Sequence, residues 1–319
     1  MNTMNITGVD NVERIERNLA EPAPNAPFEK MQNKLSLTSK KIRSMFMSIF
    51  LHQGFLLIFI GFLLGRALIL GEITPFALPF FAAVYLLKAK RAGLTFLALI
   101  IGAMTISFSS ALYITAGMIL FMLSFKLVRK LGYDTLKLLP FLVLGSVFIA
   151  KSAILYVSTE IMLYDWMMIG VEAGLGFILT MIFLQSIPLL TMKKKKHTFK
   201  TEEIICLIIL LASVLTGTIG WTYYDMSMEH IFSRYLVLIF AFVAGATVGA
   251  TVGVVTGLIL SLATVTSLYQ MSLLAFAGLL GGLLKEGRKI GVSVGLLLGT
   301  LLIGIYGDGF QHLFPTLME

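Results

Sequence analysis

Charge is scarce in this sequence, and that scarcity decides the class of the protein. Only 13% of the 319 residues are Asp, Glu, Lys or Arg, against 57% hydrophobic, and the mean hydropathy is +0.91. A soluble globular domain carries roughly 25% charged residues, so that class is excluded and a membrane protein is expected. Cysteine is nearly absent too. The single one, Cys206, lies inside an apolar run, which excludes a disulfide framework and a cysteine-based metal cluster. No Gly-rich phosphate loop, nucleophile triad or metal-spaced cluster occurs. Asp308-Gly309 is half of a metal motif and stands alone. His52 and His230 are single and suit a membrane interface better than a metal. The net charge of +8 does not point to nucleic acid, because the cations sit in short loops between apolar spans. No cleavable signal peptide is visible at the polar, mixed-charge N-terminus. The residues imply no cofactor in this chain.

The longest stretch without charge organises the rest. Residues 235–284 contain no Asp, Glu, Lys or Arg. One bilayer crossing takes about 20 apolar residues, so this stretch is too long for one ordinary span. Gly245, Gly249, Gly253 and Gly257 recur every four residues. That spacing sets them on one helix stripe, where two backbones can approach closely.

Residues 1–44 read as a cytoplasmic polar and basic tail. Its first part has no periodicity and suits disorder. From Phe28 to Phe46 apolar residues recur among lysines, as either a short amphipathic helix on the membrane surface or a solvated basic flank. Residues 45–310 read as the membrane domain, and 311–319 as its C-terminal end. Spans are predicted at about 46–70, 74–87, 92–107, 110–125, 138–157, 166–191 and 203–222, then the region 231–284, then 290–306. The prolines Pro75, Pro79, Pro140 and Pro188 sit near span ends, where they start or kink helices.

Orientation follows from the cations. Of 25 Lys and Arg, seven lie in the tail and fifteen in four loops. Those loops hold Lys88, Lys90 and Arg91; Lys126, Arg129, Lys130 and Lys137; Lys193, Lys194, Lys195, Lys196 and Lys200; and Lys285, Arg288 and Lys289. The opposite loops carry Glu160, Asp165, Asp225, Glu229 and Asp308 and no cation. The positive-inside rule puts the N-terminus and all four basic loops in the cytoplasm. Tyr113, Tyr156, Tyr164, Trp166, Trp221, Tyr223, Tyr224 and Tyr306 then form an outer aromatic belt. The run Lys193–Lys196 reads as a stop-transfer signal with anionic lipid contact as an addition. Residues 231–284 start outside and end inside, so they cross once with a re-entrant hairpin or three times. A weak internal repeat between 73–132 and 231–291 favours three. The expected fold class is all-α: a polytopic integral membrane helix bundle of about 9–11 transmembrane helices.

Ionisable groups inside a membrane are functional candidates by default. Lys151 and Glu172 each lie about six residues below the outer end of adjacent antiparallel spans, at roughly 9 Å depth, and form a candidate ion pair. Arg66, Glu72 and Arg234 are the other embedded charges, all towards the outer side. They serve structural pairing and snorkelling, a transport pathway, or recognition by another protein.

Four stretches carry a resemblance. IGFLLGRALILGEITPFALPFFAAVYLL (60–87), VEAGLGFILTMIFLQSIPLLTMKKKK (171–196), EEIICLIILLASVLTG (202–217) and VGVVTGLILSLATVTSLYQMSLLAFAGLLGGLLKEGRK (252–289) closely resemble the membrane region of the stage II sporulation protein E phosphatases of endospore-forming bacteria. The resemblance covers roughly 45–310. It implies a membrane domain of about ten helices, followed in the family by a cytoplasmic region and a manganese-dependent PPM-type serine phosphatase domain. That phosphatase acts on an anti-anti-sigma factor and so activates the forespore sigma factor. The family also associates with the tubulin-like division protein at the polar septum. This chain ends at Glu319, one inward span short of the cytoplasm, and no position matches the catalytic motifs. The expectation is therefore a non-catalytic membrane domain that anchors, localises and multimerises a sporulation phosphatase, meeting lipid, further copies of itself and division-site proteins. The alternative is a small-molecule carrier or ligand sensor.

Overall fold

The computed structural model describes residues 55–158, 162–191, 201–223, 226–264 and 269–308. The N-terminal tail, Lys193–Lys196 and the C-terminal residues 309–319 lie outside the described residues. Eleven α-helices occupy the described chain: α1 Phe55–Arg66, α2 Ala77–Leu87, α3 Ala89–Met104, α4 Phe108–Lys130, α5 Thr135–Ser158, α6 Leu163–Thr191, α7 Thr201–Thr216, α8 Met228–Ala244, α9 Ala246–Thr264, α10 Tyr269–Leu283 and α11 Arg288–Asp308. A two-residue hairpin, β1 Thr222–Tyr223 and β2 Met226–Ser227, sits between α7 and α8, with Thr222 opposite Ser227. An all-helical membrane domain is what backbone chemistry demands, since a helix satisfies its own N–H and C=O groups without water. Four helices, within α4, α5, α6 and α9, are long and apolar enough to cross a membrane. α1 and α2 are apolar but shorter.

Helix ends follow local chemistry. α1 stops at Arg66, short of the expected residue 70, and the chain then turns towards α2 through Leu70 and Gly71, which take positive φ angles of 54° and 71°. Ser107 caps α4 by accepting a hydrogen bond from Ser110 N at 3.1 Å. Gly245, at φ +90°, ends α8; a residue with a Cβ would be strained there.

The region 231–284 folds as three helices, α8, α9 and α10. Lys285 Nζ donates to Val243 O at 2.8 Å, so the α8–α9 and α10–α11 junctions share one end of the bundle. Leu70 N donates to Leu262 O at 3.1 Å, so the far end of α9 meets the α1–α2 turn at the other. α9 therefore runs the full depth and is no shallow re-entrant turn. The two repeat segments do share a helix order, α2–α4 and α8–α10, but not a packing mode. The middle helix of the first sets Gly102 against Phe62 of α1, whereas the middle helix of the second sets its glycines against α10.

Two hydrophobic clusters hold the helices. The first centres on α2, where all eight residues from Ala77 to Val84 are buried. A helix apolar on every side belongs in the middle of a bundle. Phe80 meets Phe183 edge-on at 6.2 Å and Phe81 meets Phe121 likewise at 6.2 Å. The second cluster joins Val237, Val252, Leu260, Leu274, Ala277 and Leu296 of α8 to α11. α7 belongs to both: Leu210 and Val214 face the first and Ile208 faces the second.

Candidate functional site

α5 and α6 run antiparallel and bring Lys151 against Glu172. Glu172 Oε2 accepts from Lys151 Nζ in an ion pair shielded from solvent. Its other oxygen, Oε1, accepts from Thr74 N at 3.1 Å and from Thr74 Oγ1 at 3.2 Å. Both carboxylate oxygens thus have donors, which a charge in lipid requires. Glu172 is only 4% exposed. Lys151 Nζ also stands 5.8 Å from the Tyr113 ring centroid, within cation–π range. The network ties three segments together: the α1–α2 turn, α5 and α6. A cleft beside it is lined by Leu78, Tyr113, Gly117 and Val147 as well as by the pair, and it holds about 20 Å³ of space for water. That volume suits a single water molecule.

Arg66 is engaged elsewhere. Its Nη1 donates to Thr105 Oγ1 at 3.3 Å and its Nη2 to Ile219 O at 3.2 Å, while the guanidinium lies 5.2 Å from the Trp221 ring centroid. It pins α1 to the turn after α3 and to the segment after α7. Arg66→Lys keeps the charge but loses the planar fork and the stacking. We expect it to cost about 1–2 kcal/mol, read as a lower melting temperature of the chain in detergent; an unchanged melt would remove this role. Glu72 is exposed at the tip of the α1–α2 turn, and Arg234 is half-buried in α8. Neither lines the cleft.

The glycine stripe packs within one chain. A Cβ built on Gly249 would lie 2.6 Å from Gly278 O of α10. Cβ atoms on Gly253 and Gly257 would overlap the backbone at Leu274 and Met271, also on α10. Gly245 serves the turn instead. α11 repeats the device on the other side of α10: Cβ atoms on Gly295 and Gly299 would sit 2.5 Å from Leu280 O and 2.6 Å from Ala277 Cα. Gly291, Gly295 and Gly299 also recur every four residues, a signal as plain as the first stripe. Thr74 carries no such signal, being one hydroxyl in a short loop two residues after Glu72.

The described cations of the basic loops stand at the α2–α3, α4–α5 and α10–α11 junctions. Among the described residues no three His, Cys, Asp or Glu side chains converge on a point.

The family model for the SpoIIE N-terminal domain matches residues 12–319. The chain belongs to this family. Stage II sporulation protein E of Bacillus subtilis (strain 168) is 48% identical over 309 residues, which is 97% of this chain and 37% of that protein. Stage II sporulation protein E of Priestia megaterium is 65% identical over 60 residues, 19% of this chain and 10% of that protein. The chain therefore spans little more than a third of the length of its Bacillus relative. No solved structure matches. Within the SpoIIE N-terminal family this is a multi-helix membrane domain of a sporulation protein.

Proposed function

We propose that this domain is a non-catalytic membrane anchor that places a sporulation serine phosphatase at the polar division septum and brings copies of it together. The phosphatase would then act on an anti-anti-sigma factor to activate the forespore sigma factor. The observation that carries this reading is the family match across nearly the whole chain, joined to a fold built of apolar helices. The buried polar groups fit an anchor as well. Lys151, Glu172 and Arg66 have protein partners that tie helices to one another. The space beside Lys151 and Glu172 takes one water, which gives no support to a carrier of larger solutes. Contact between copies would use a face other than residues 249–257, because α10 fills that one.

The test is localisation without the phosphatase. This chain fused to a fluorescent protein, in sporulating cells that lack the full-length protein, is expected to concentrate at the polar septum. Uniform labelling of the cell membrane would sink the localising role and leave only anchoring.

A further inference from the structure

The turn between α4 and α5 exposes cations and bare apolar side chains together. α4 has 23 residues, or about 35 Å of helix. That exceeds a hydrocarbon core of about 30 Å, so its last turn reaches the headgroup layer. Lys126, Arg129, Lys130 and Lys137 are all exposed there. So are Leu127 at 60%, Leu131 at 63%, Tyr133 at 63% and Leu136 at 57%. The one acid in the turn, Asp134, is committed locally: its Oδ1 accepts from Leu136 N at 3.3 Å and its Oδ2 lies 3.8 Å from Lys137 Nζ. The shape of the turn is set by backbone. Leu131 N donates to Leu127 O at 3.0 Å, Gly132 N to Arg129 O at 3.3 Å, and Gly132 takes φ +78°. The α10–α11 junction also exposes Arg288 and Lys289 beside Leu283 and Ile290, but its Lys285 donates to Val243 O, a tie that the α4–α5 cations do not make.

Water does not favour four uncovered apolar side chains within ten residues, and the bundle core does not reach them. A surface with phosphate above and acyl chain below satisfies both halves of the turn. We propose that the α4–α5 turn, residues 126–137, is a binding site for anionic phospholipid headgroups. Lys126, Arg129, Lys130 and Lys137 hold the phosphates, while Leu131, Tyr133 and Leu136 enter the acyl boundary. This rests on the membrane-anchor reading and names the lipid class the anchor selects.

The experiment reads the turn itself. The full chain with Cys206→Ser and Tyr133→Cys is labelled with an environment-sensitive dye and reconstituted in phosphatidylcholine vesicles of rising phosphatidylglycerol content. Serine retains the donor that Cys206 directs at Gln185. The dye is expected to shift to the blue as phosphatidylglycerol rises. With Lys126, Arg129, Lys130 and Lys137 all changed to Gln, the half-saturating content should rise about fivefold or more, whereas Lys90→Gln with Lys289→Gln should leave it in place. Emission indifferent to phosphatidylglycerol, or the same response in the four-site variant, would overturn the site. So would a shift that appears only on adding an acidic membrane protein fraction, which would mark the turn as a protein contact. A chain that does not insert into vesicles at all would instead sink the membrane-anchor reading.

Discussion

A chain carrying Gly249→Leu and Gly253→Leu should fail to assemble its second cluster. Both positions face backbone rather than flexible side chain: Gly278 O and Ala241 Cα around residue 249, and Leu274 and Ala275 around residue 253. Backbone does not move aside as a side-chain tip does, so α9 and α10 must separate along their whole seam. Overpacking a well-filled core typically costs 1–3 kcal/mol. Two such insertions on one seam should cost about 3 kcal/mol or more, since close helix approach is the main source of association energy between helices in lipid. The measurement is the monodisperse fraction after size-exclusion chromatography in detergent, together with the melting temperature. Most of the protein is expected to aggregate. The control is Gly174→Ala on α6, where a Cβ would meet nothing within 4 Å. Alanine is the better helix former by about 1 kcal/mol, so that variant should melt no lower than the parent. If the double leucine variant melted with the parent, the intramolecular seam would be refuted.

Glu172→Gln should be costly alone and much less costly beside Lys151→Met. The single change leaves an ammonium in a site where Glu172 is its ion-pair partner and solvent exposure is slight. Breaking a buried pair by removing one partner costs about 3–5 kcal/mol, whereas replacing both by neutral groups of similar volume is often close to neutral. Lys151→Met alone leaves a carboxylate that still accepts two hydrogen bonds from Thr74, so it should be the milder of the two single changes. A double-mutant cycle on detergent melts measures the coupling. Additive losses, with no recovery in the double variant, would show that the two groups do not stabilise each other.

Much of this arrangement was legible in the sequence because lipid leaves few solutions. The described basic loop residues stand at the α2–α3, α4–α5 and α10–α11 junctions, while the α8–α9 junction carries none, and the long uncharged stretch within 231–284 forms three helices rather than one. Equal depth on neighbouring antiparallel spans brought Lys151 to Glu172. What periodicity could not show was which surface each glycine stripe would meet. Four-residue spacing marks a close contact without naming the partner, and α10 turns out to receive stripes on both flanks. Thr74 was invisible for a similar reason, since it acts on a residue 98 positions away, and Trp221, legible only as part of an aromatic belt, gave no sign that Arg66 would lie over its ring. The early stop of α1 is followed by a turn with two consecutive positive φ values, one of them at a leucine, which no propensity argument selects.

α7 gives the bundle a party wall. Ile204 and Ile208 lie one turn apart and belong to one cluster, while Leu210 and Val214, also one turn apart, belong to the other. Two residues along a helix is about 200° of rotation, so the two sets look in nearly opposite directions. The helix cannot roll to improve its fit on one side without spoiling the other. Any rotation of α7 therefore displaces its side chains in both clusters at once and in opposite directions.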